Sequence, residues 1–402
     1  MSQGKRLSPW KILGIVVGVI VLSVVALIVW ASAAGSRKFA RMQERSRAHL
    51  AAVKAAPGRR PVLRGDAQEG NAWGDYALAQ AEVKKFGKAS RLGEIVDRSP
   101  KADPEVGKAA LAAHGVAVEH LRRGAGRATS RYPFEWEMGN SMPTPGLLEM
   151  INTSNLVVLK ARALIDEGKS REAAGVLLDL AQYGRDIGAD GVLITYMIGM
   201  ALLNRALDEM RDHLLAGKFD KGALEDLDRG LQVLDGSFPS YGAVLMNESL
   251  LFGGLLNEST AGGWGPQRLL MADAVERIHE SMSAAGKAES LPWAEARNEL
   301  DRIESDAKKA WNPISSIASP SMVKSGHIGR GRRAQLRILR VAVHATSTGR
   351  LLGLEDPFGA TLRSEESPGK LKLWSVGRDG VDDGGAGEWK ADAKDILLEI
   401  QR

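Results

Sequence analysis

One stretch near the start of the chain constrains its architecture more than any other feature, because no residue between Lys11 and Arg37 is charged. Within it, Ile12 to Trp30 reads ILGIVVGVIVLSVVALIVW, which matches the roughly 20 apolar residues that a bilayer-spanning helix requires. A core helix of this length would normally carry a polar face, and this stretch has none. Trp10 and Trp30 flank it, as indole rings do at membrane interfaces. The sequence therefore predicts a transmembrane helix.

The anchor is predicted to remain on the mature protein. Ala31-Ser32-Ala33 resembles the small-residue site of a signal peptidase, but the apolar run is longer than the 7–15 residues usual for a cleaved signal. Gly14 and Gly18 form a G-x-x-x-G pair, which would let two such helices approach closely in a homodimer. Small residues are also common in membrane helices for other reasons.

The charge and the cysteine count narrow the function classes. The chain has 402 residues, a net charge of +5 and no cysteine, which excludes disulfide scaffolds, thiolate zinc sites and thiol enzymes. The positive charge is concentrated in residues 1–64, so residues 65–402 carry a net charge of −6. We therefore expect the basic segment to contact anionic lipid headgroups, and we expect no nucleic-acid partner.

Two arguments about membrane orientation disagree. The count of Lys and Arg flanking the anchor favours a cytoplasmic carboxyl-terminal domain, whereas the carboxyl-terminal motif described below favours an extracytoplasmic one. Long domains can cross regardless of flanking charge, so we predict a single-pass protein of the bacterial inner membrane with its domain outside the cytoplasm. The predicted segments are a tail (1–11), an anchor (12–34), a basic juxtamembrane stalk (35–70), a helical domain (71–350) and a β-module (351–402).

The helical domain shows apolar stripes at helical spacing, separated by Gly or Pro breaks. The fold class is accordingly mainly α, with a bundle-like or solenoid-like body and a small antiparallel β-module. The predicted helices are 71–91, 103–123, 146–167, 170–187, 191–216, 220–235, 239–257, 266–285 and 291–311, followed by a basic helix at 330–348. The stretch 122–146, with its aromatic cluster, and the hairpin after it resemble uncharacterised membrane-anchored helical proteins of bacterial envelopes.

No complete catalytic or metal-binding signature is present in the helical domain. Glu276-x-x-His279 matches half of a di-iron carboxylate motif, but no second pair accompanies it, so a solvated helix face is the better interpretation. The basic helix leaves two interpretations open, a surface for phosphate or an acidic partner, and a simple solvated face. Its cations are Arg330, Arg332, Arg333, Arg337 and Arg340. We therefore predict that the protein is not an enzyme.

The β-module contains an acidic, glycine-rich loop between two predicted strands, 371–376 and 395–400. The loop reads GRDGVDDGGAG and holds Asp379, Asp382 and Asp383 among five glycines. Calcium takes six to eight oxygen ligands from carboxylates and main-chain carbonyls, and glycines let a short loop turn these ligands inward. The spacing is not that of an EF-hand. A Ca²⁺ site and a flexible solvated loop both remain open.

Four short motifs in this module carry a family resemblance. They are Asp356-Pro357-Phe358-Gly359, Ser367-Pro368-Gly369, Leu373-Trp374-Ser375-Val376-Gly377-Arg378-Asp379-Gly380 and Asp395-Ile396. In this order they resemble the carboxyl-terminal region of the major pseudopilin of type II secretion systems, over about 45 residues. The amino terminus differs from that family, because Gly4 precedes Lys5 where a leader would be cut before Phe, and the apolar helix contains no acid.

The resemblance implies a calcium-binding loop that stabilises the module. By position it carries over to Asp379, to the main-chain carbonyl of Val376 and to Asp395. Lys394 stands where the family often has a second acid. The missing ligands would then come from the remaining acids of the loop, which are Asp382, Asp383 and Asp392.

These observations predict a non-catalytic, membrane-anchored envelope protein. Its partners would be the lipid bilayer and proteins of a secretion or pilus-like assembly, and its cofactor would be Ca²⁺. A helical scaffold that binds a protein partner, with a merely structural β-module, is the alternative. An enzyme of unknown type is third.

Overall fold

The computed structural model describes residues 9–100, 102–136, 138, 142, 146–258, 265–309, 312 and 321–401. Most of the predicted tail, residues 1–8, and residues 310, 311 and 313–320 lie outside the described residues. The chain is 68% helical, with 13 α-helices in the described part, a long apolar helix at the amino terminus and a small antiparallel sheet near the carboxyl terminus. The predicted fold class is confirmed.

Most helices follow the predicted order with small shifts at their ends, but the predicted helix 103–123 is divided into two at Gly115, the predicted helix 71–91 ends at Lys84, and the short helix Leu92–Val96 was not predicted. The helices are α1 Pro9–Ala55, α2 Ala72–Lys84, α3 Leu92–Val96, α4 Pro104–His114, α5 Val116–Ala125, α6 Leu147–Asp166, α7 Ser170–Ala189, α8 Leu193–Leu215, α9 Lys221–Gly236, α10 Tyr241–Glu258, α11 Gly265–Ala288, α12 Trp293–Lys308 and α13 Met322–Thr348. The strands are β1 Gln68–Asn71, β2 Arg127–Thr129, β3 Arg363–Ser367, β4 Lys370–Ser375 and β5 Ile396–Gln401. β1 and β2, a parallel pair that the sequence did not predict, lie in the helical body.

Local capping explains several of the helix boundaries. Asp103 accepts a hydrogen bond from the Glu105 N–H, and Pro104 occupies the first helical position, as the sequence predicts. Gly168 and Gly217 adopt positive φ angles of 74° and 62° just after α6 and α8. A left-handed residue stops a helix at low cost when it is glycine, so both hairpin turns form where expected.

The predicted stalk is not a free-standing segment. α1 continues without a break from the apolar span to Ala55, and its second half packs against α10 and α11. Lys38 bonds to Asp273 at 2.7 Å and to Glu276 at 2.6 Å, and Met42 is buried against Val275. Burial lowers the pKa of Lys38, but the hydrogen bonds to the two acids outweigh it and the pKa is raised. The first part of the stalk is therefore a helix of the body.

The rest of the stalk is also drawn into the body. The side chain of Arg60 is 1% exposed, and its Nε lies 2.8 Å from Oδ1 of Asp186, which also binds the hydroxyl of Tyr76 through Oδ2 at 2.6 Å. Arg64 lies 2.8 Å from Asp179. Charges in a basic segment are usually solvated, and the sequence gives no sign of acids more than 100 positions away that pair with them. The structure differs from the predicted basic stalk because these arginines pair with remote acids of the helical body.

The β-module packs on α13 and shares its core. β3, β4 and β5 form an antiparallel sheet in which Leu371 faces Ile400 and Leu373 faces Leu398. These four side chains are buried in the same apolar cluster as α13 and the other body helices. Gly331 of α13 allows the module to approach closely, because a Cβ there would lie 2.1 Å from the Ala391 carbonyl oxygen.

Two tryptophan side chains form hydrogen bonds between the module and the body, one donated by each. Trp293 of α12 donates to the Arg378 carbonyl at 2.7 Å, and Trp389 of the module donates to Asp208 of α8 at 2.7 Å. Arg211 lies over the Trp389 ring, 5.5 Å from its centre. The module is thus held by hydrogen bonds as well as by apolar contact, and it is not an independent unit.

The arginines of α13 are used inside the protein, unlike either predicted role. The helix starts at Met322 rather than at 330, because apolar and small residues before 330 continue its buried face. Asp235 of α9 accepts from Arg333 at 3.1 Å and from Arg337 at 2.9 Å. Arg330 donates to the carbonyl oxygens of Glu289 and Pro357. The basic face of α13 therefore joins neighbouring elements of the body, although the Arg333 side chain is still 41% exposed.

Replacing Gly331 by Ala will open the seam between α13 and the β-module. The added methyl meets main chain that cannot give way, so we expect a loss of about 1–3 kcal/mol in unfolding free energy. Gly74→Ala is the matched control, because Gly74 is an exposed position in α2 with open space around it. It should stabilise by about 0.5–1 kcal/mol. Urea titration followed by tryptophan fluorescence measures both, and equal effects would refute the tight seam.

Replacing Lys38 by Met will weaken the attachment of α1 to α11. Two carboxylates lose a charge-assisted partner, so the unfolding free energy should fall by about 1.5–3 kcal/mol. Arg41→Met, at an exposed position nearly one turn further along α1, should change it by less than about 0.5 kcal/mol. Urea unfolding of the full chain in detergent tests this pair, and a similar loss in both variants would contradict the assignment.

Candidate metal site in the carboxyl-terminal loop

The loop between β4 and β5 is closed at its base by main-chain contacts. The Glu388 N–H donates to the Asp395 carbonyl at 3.2 Å, and the Arg378 N–H donates to the Ala393 carbonyl at 3.4 Å. Gly377 has a φ of 60°, and a Cβ there would lie 1.6 Å from the Lys394 carbonyl oxygen. Glycine is required at this crossing because no side chain fits. The acidic residues are consequently held in a defined loop.

One buried carboxylate, Asp356, organises the entry to this loop. Its Oδ1 accepts from the Phe358 N–H at 3.0 Å and from the Ser375 hydroxyl at 2.7 Å, while its Oδ2 accepts from the Val376 N–H at 2.9 Å. No structural role for Asp356 was predicted from the sequence. The sequence Asp-Pro-Phe-Gly does indicate a turn, because Asp commonly starts a turn with Pro second and Gly fourth.

Asp395 is the most unusual acid in the loop. It is fully buried, and its Oδ2 accepts from the Gly385 N–H at 2.8 Å. Its Oδ1 is buried with no hydrogen-bond partner among the described residues. Burial raises the pKa of the Asp395 carboxyl, and the charges of Asp383 and Asp382 raise it further against the Gly385 hydrogen bond. A buried, unpaired carboxylate oxygen costs free energy unless a cation or a proton satisfies it.

Asp382 is already engaged by donors from the sheet. Its Oδ1 accepts from Trp374 Nε1 at 2.9 Å, and its Oδ2 accepts from Arg363 Nε at 3.1 Å. The bond from Trp374 is the main cause that lowers the pKa of Asp382. Lys372 reaches the same loop, donates to the Gly384 carbonyl at 2.6 Å and lies over the Trp374 ring. Arg363 and Lys372 therefore bring positive charge that the sequence analysis did not anticipate.

The other predicted ligands differ in their relation to Asp395. Val376 stands opposite Asp395, one residue beyond the register pair Ser375–Ile396. Asp379 accepts from the Val381 N–H at 3.2 Å in a local turn. Val376 follows β4 directly, and its N–H is held by Asp356. Asp392 is exposed and acts electrostatically on His327 and Arg332 of α13. Of the predicted acids, Asp383 and Asp382 thus act electrostatically on Asp395, whereas Asp379 and Asp392 interact with other groups.

The described residues contain no group of three or more His, Asp or Glu side chains arranged to hold a metal ion. The fit of calcium therefore depends on the orphaned Oδ1 of Asp395 together with main-chain oxygens. Asp383 is exposed, and its charge raises the pKa of Asp395 more than the charge of Asp382 does. The Asp383 N–H acts in the opposite direction and lowers the pKa of Asp395. This donor set is all oxygen, as hard cations prefer.

The half-motif in α11 serves packing rather than metal binding. Glu276 bonds to Lys38, and Nδ1 of His279 lies 3.2 Å from the Ser249 hydroxyl of α10. Burial lowers the pKa of His279, and the nearby positive charges of His49 and Arg45 lower it further. Both residues thus belong to the contacts between α1, α10 and α11.

Comparisons with protein-family models, with curated proteins and with solved structures find no match to this chain.

Asp395→Asn will change the pH dependence of stability in a defined direction. A carboxyl whose pKa is raised by folding contributes stability at acid pH that is lost as the pH rises through the folded pKa. In metal-free buffer the wild type should therefore lose stability relative to Asp395→Asn as the pH rises from about 4. Urea midpoints between pH 4 and 7 measure the difference. Asp392→Asn should run parallel to the wild type, and parallel curves for Asp395→Asn would overturn the assignment.

Proposed function

We propose that this chain is a membrane-anchored structural protein of the bacterial envelope, whose carboxyl-terminal module binds Ca²⁺ and serves in a secretion or pilus-like assembly. The observation that carries the proposal is the buried, unpartnered Oδ1 of Asp395 within an acidic loop. The described part of α1 is long and apolar enough to span a membrane, which supports the anchor. The pseudopilin-like order of motifs supports the proposed role in a secretion or pilus-like assembly.

Calcium would neutralise the charge that the loop concentrates around Asp395. The ligands would be Asp395, Asp383 and main-chain carbonyls of the loop, whose glycines allow those carbonyls to turn inward. Asp382 would join only by giving up Arg363 or Trp374. A site with so few free carboxylates is expected to be weak, in the 10⁻⁴–10⁻³ M range typical of extracellular modules. That range is consistent with an extracytoplasmic module of an inner-membrane protein.

The position of the module supports a structural role for this site. The loop hangs from β4 and β5, whose apolar face is part of the body core, and Trp293 holds the Arg378 carbonyl at the base of the loop. Ordering the loop would therefore stabilise the seam to α12 and α13. We propose that calcium acts on stability and on the surface offered to partners, without a catalytic step.

A cavity at the seam favours a second candidate, a scaffold that binds a protein partner. Its volume is about 640 Å³, and its walls include Tyr196, Trp293, Arg330 and Arg333. Tyr, Trp and Arg are the side chains that most often dominate protein interfaces. Deleting the module would expose the core, so Arg333→Ala in the intact chain is the appropriate test. A partner that is lost with Arg333→Ala while the calcium response persists would favour the scaffold.

Calcium titration of the full chain in detergent tests the first proposal. Ca²⁺ added after EDTA treatment should raise the unfolding temperature, and a concentration 100 times the dissociation constant should add about 2.7 kcal/mol of stability. Mg²⁺ should have a smaller effect because it dehydrates reluctantly and demands octahedral geometry.

Three variants locate the calcium response. Asp395→Asn should abolish it, Asp383→Asn should weaken it without disturbing a buried position, and Asp392→Asn should leave it unchanged. Isothermal titration supplies the binding heat. The proposal is overturned by the absence of both heat and thermal shift at several millimolar Ca²⁺, or by an equal response in all three variants.

A further inference from the structure

The junction between the membrane span and the body has no spacer. The side chain of Trp30, the last residue of the apolar run, is 63% exposed, whereas Ala31 is 8% exposed and Gly35 is buried. The described side chains from Trp10 to Trp30 are almost all exposed. The largely exposed part of α1, which would face lipid, therefore ends at Trp30, and the part that packs against protein begins at Ala31.

The register of α1 against α11 points to the start of α11 as the neighbour of this junction. Lys38 pairs with Asp273, and Met42 packs with Val275, so α1 and α11 run parallel with nearly constant register. Extending that register backwards places Ala31 to Gly35 beside the first turns of α11, which starts at Gly265. The amino-terminal end of α11 thus lies level with the end of the apolar span.

The dimensions of a bilayer determine which of its layers would surround the amino-terminal end of α11. The hydrocarbon core takes about 20 helical residues, and each headgroup layer adds about 5–7 Å, or roughly four residues. If the apolar run ending at Trp30 fills the core, residues 31–35 and the start of α11 lie in the headgroup layer. Leu270 is 37% exposed in these first turns, and Arg37 and Arg41 are exposed on α1 just beyond them. Apolar contact flanked by cations matches an anionic headgroup layer.

We propose that the helical body is seated directly on the membrane surface, with the amino-terminal end of α11 in contact with the lipid headgroups. The inference rests on the membrane anchoring proposed above, and its partner is the same bilayer that holds α1. The body would be held at a fixed orientation, because α1 joins span and body as one continuous helix.

Single-cysteine labelling tests the seating, since the chain has no cysteine of its own. Leu270→Cys places an environment-sensitive fluorophore at the start of α11. Lys287→Cys, also exposed, places one about 25 Å further along the same helix. The full chain is reconstituted in phosphatidylcholine–phosphatidylglycerol vesicles that contain a headgroup nitroxide quencher. We expect quenching at least several-fold stronger at position 270 than at position 287.

A third label separates failure of the seating from failure of the anchor. Leu22→Cys lies in the span, 70% exposed in the protein, and should be quenched by a nitroxide placed deep in the acyl chains. Quenching at 22 with equal, weak quenching at 270 and 287 would overturn the seating and leave the anchor standing. No quenching at 22 would overturn both.

Discussion

The bonds from Lys38 to Asp273 and Glu276 are the constraint on which the rest of the arrangement depends. They are among the first polar contacts after the apolar span, and they fix α1 against α11 while Met42 closes the apolar contact beside them. A basic residue next to a membrane span would ordinarily face lipid phosphates or water. Here two acids of the same chain take that place, so the apolar helix continues as a helix of the body.

A second joint, at Asp235, connects the body to its carboxyl-terminal module. One carboxylate at the end of α9 receives Arg333 and Arg337, and Arg340 lies 3.6 Å from its second oxygen. Arg337 also donates to the Glu355 carbonyl, and Arg330 of the same helix donates to the Pro357 carbonyl. Both carbonyls belong to the entry of the β-module, so the arginines of α13 connect α9 with that module.

Local features of the fold were predictable from the sequence, and remote pairings were not. Helix starts such as the Asp103 cap depend on neighbouring residues, so periodicity and capping located most helices within a few positions. Arg60 and Asp186 are 126 positions apart, and no spacing rule joins them. In the loop, composition identified the acids but not which of them converge. Asp392 and Asp395 are three positions apart in irregular chain, where no periodicity assigns a side chain to the interior.

The burial of Ala31 has a consequence for the order of events during biogenesis. The small-residue sequence that resembles a signal-peptidase site, Ala31-Ser32-Ala33, is helical in the folded chain, with Ala31 buried and Ser32 half-buried. A peptidase needs this stretch extended and accessible, so it could act only before α10 and α11 close on α1. Cleavage at this stretch and packing of the body on residues 31–35 would therefore exclude each other in any one chain.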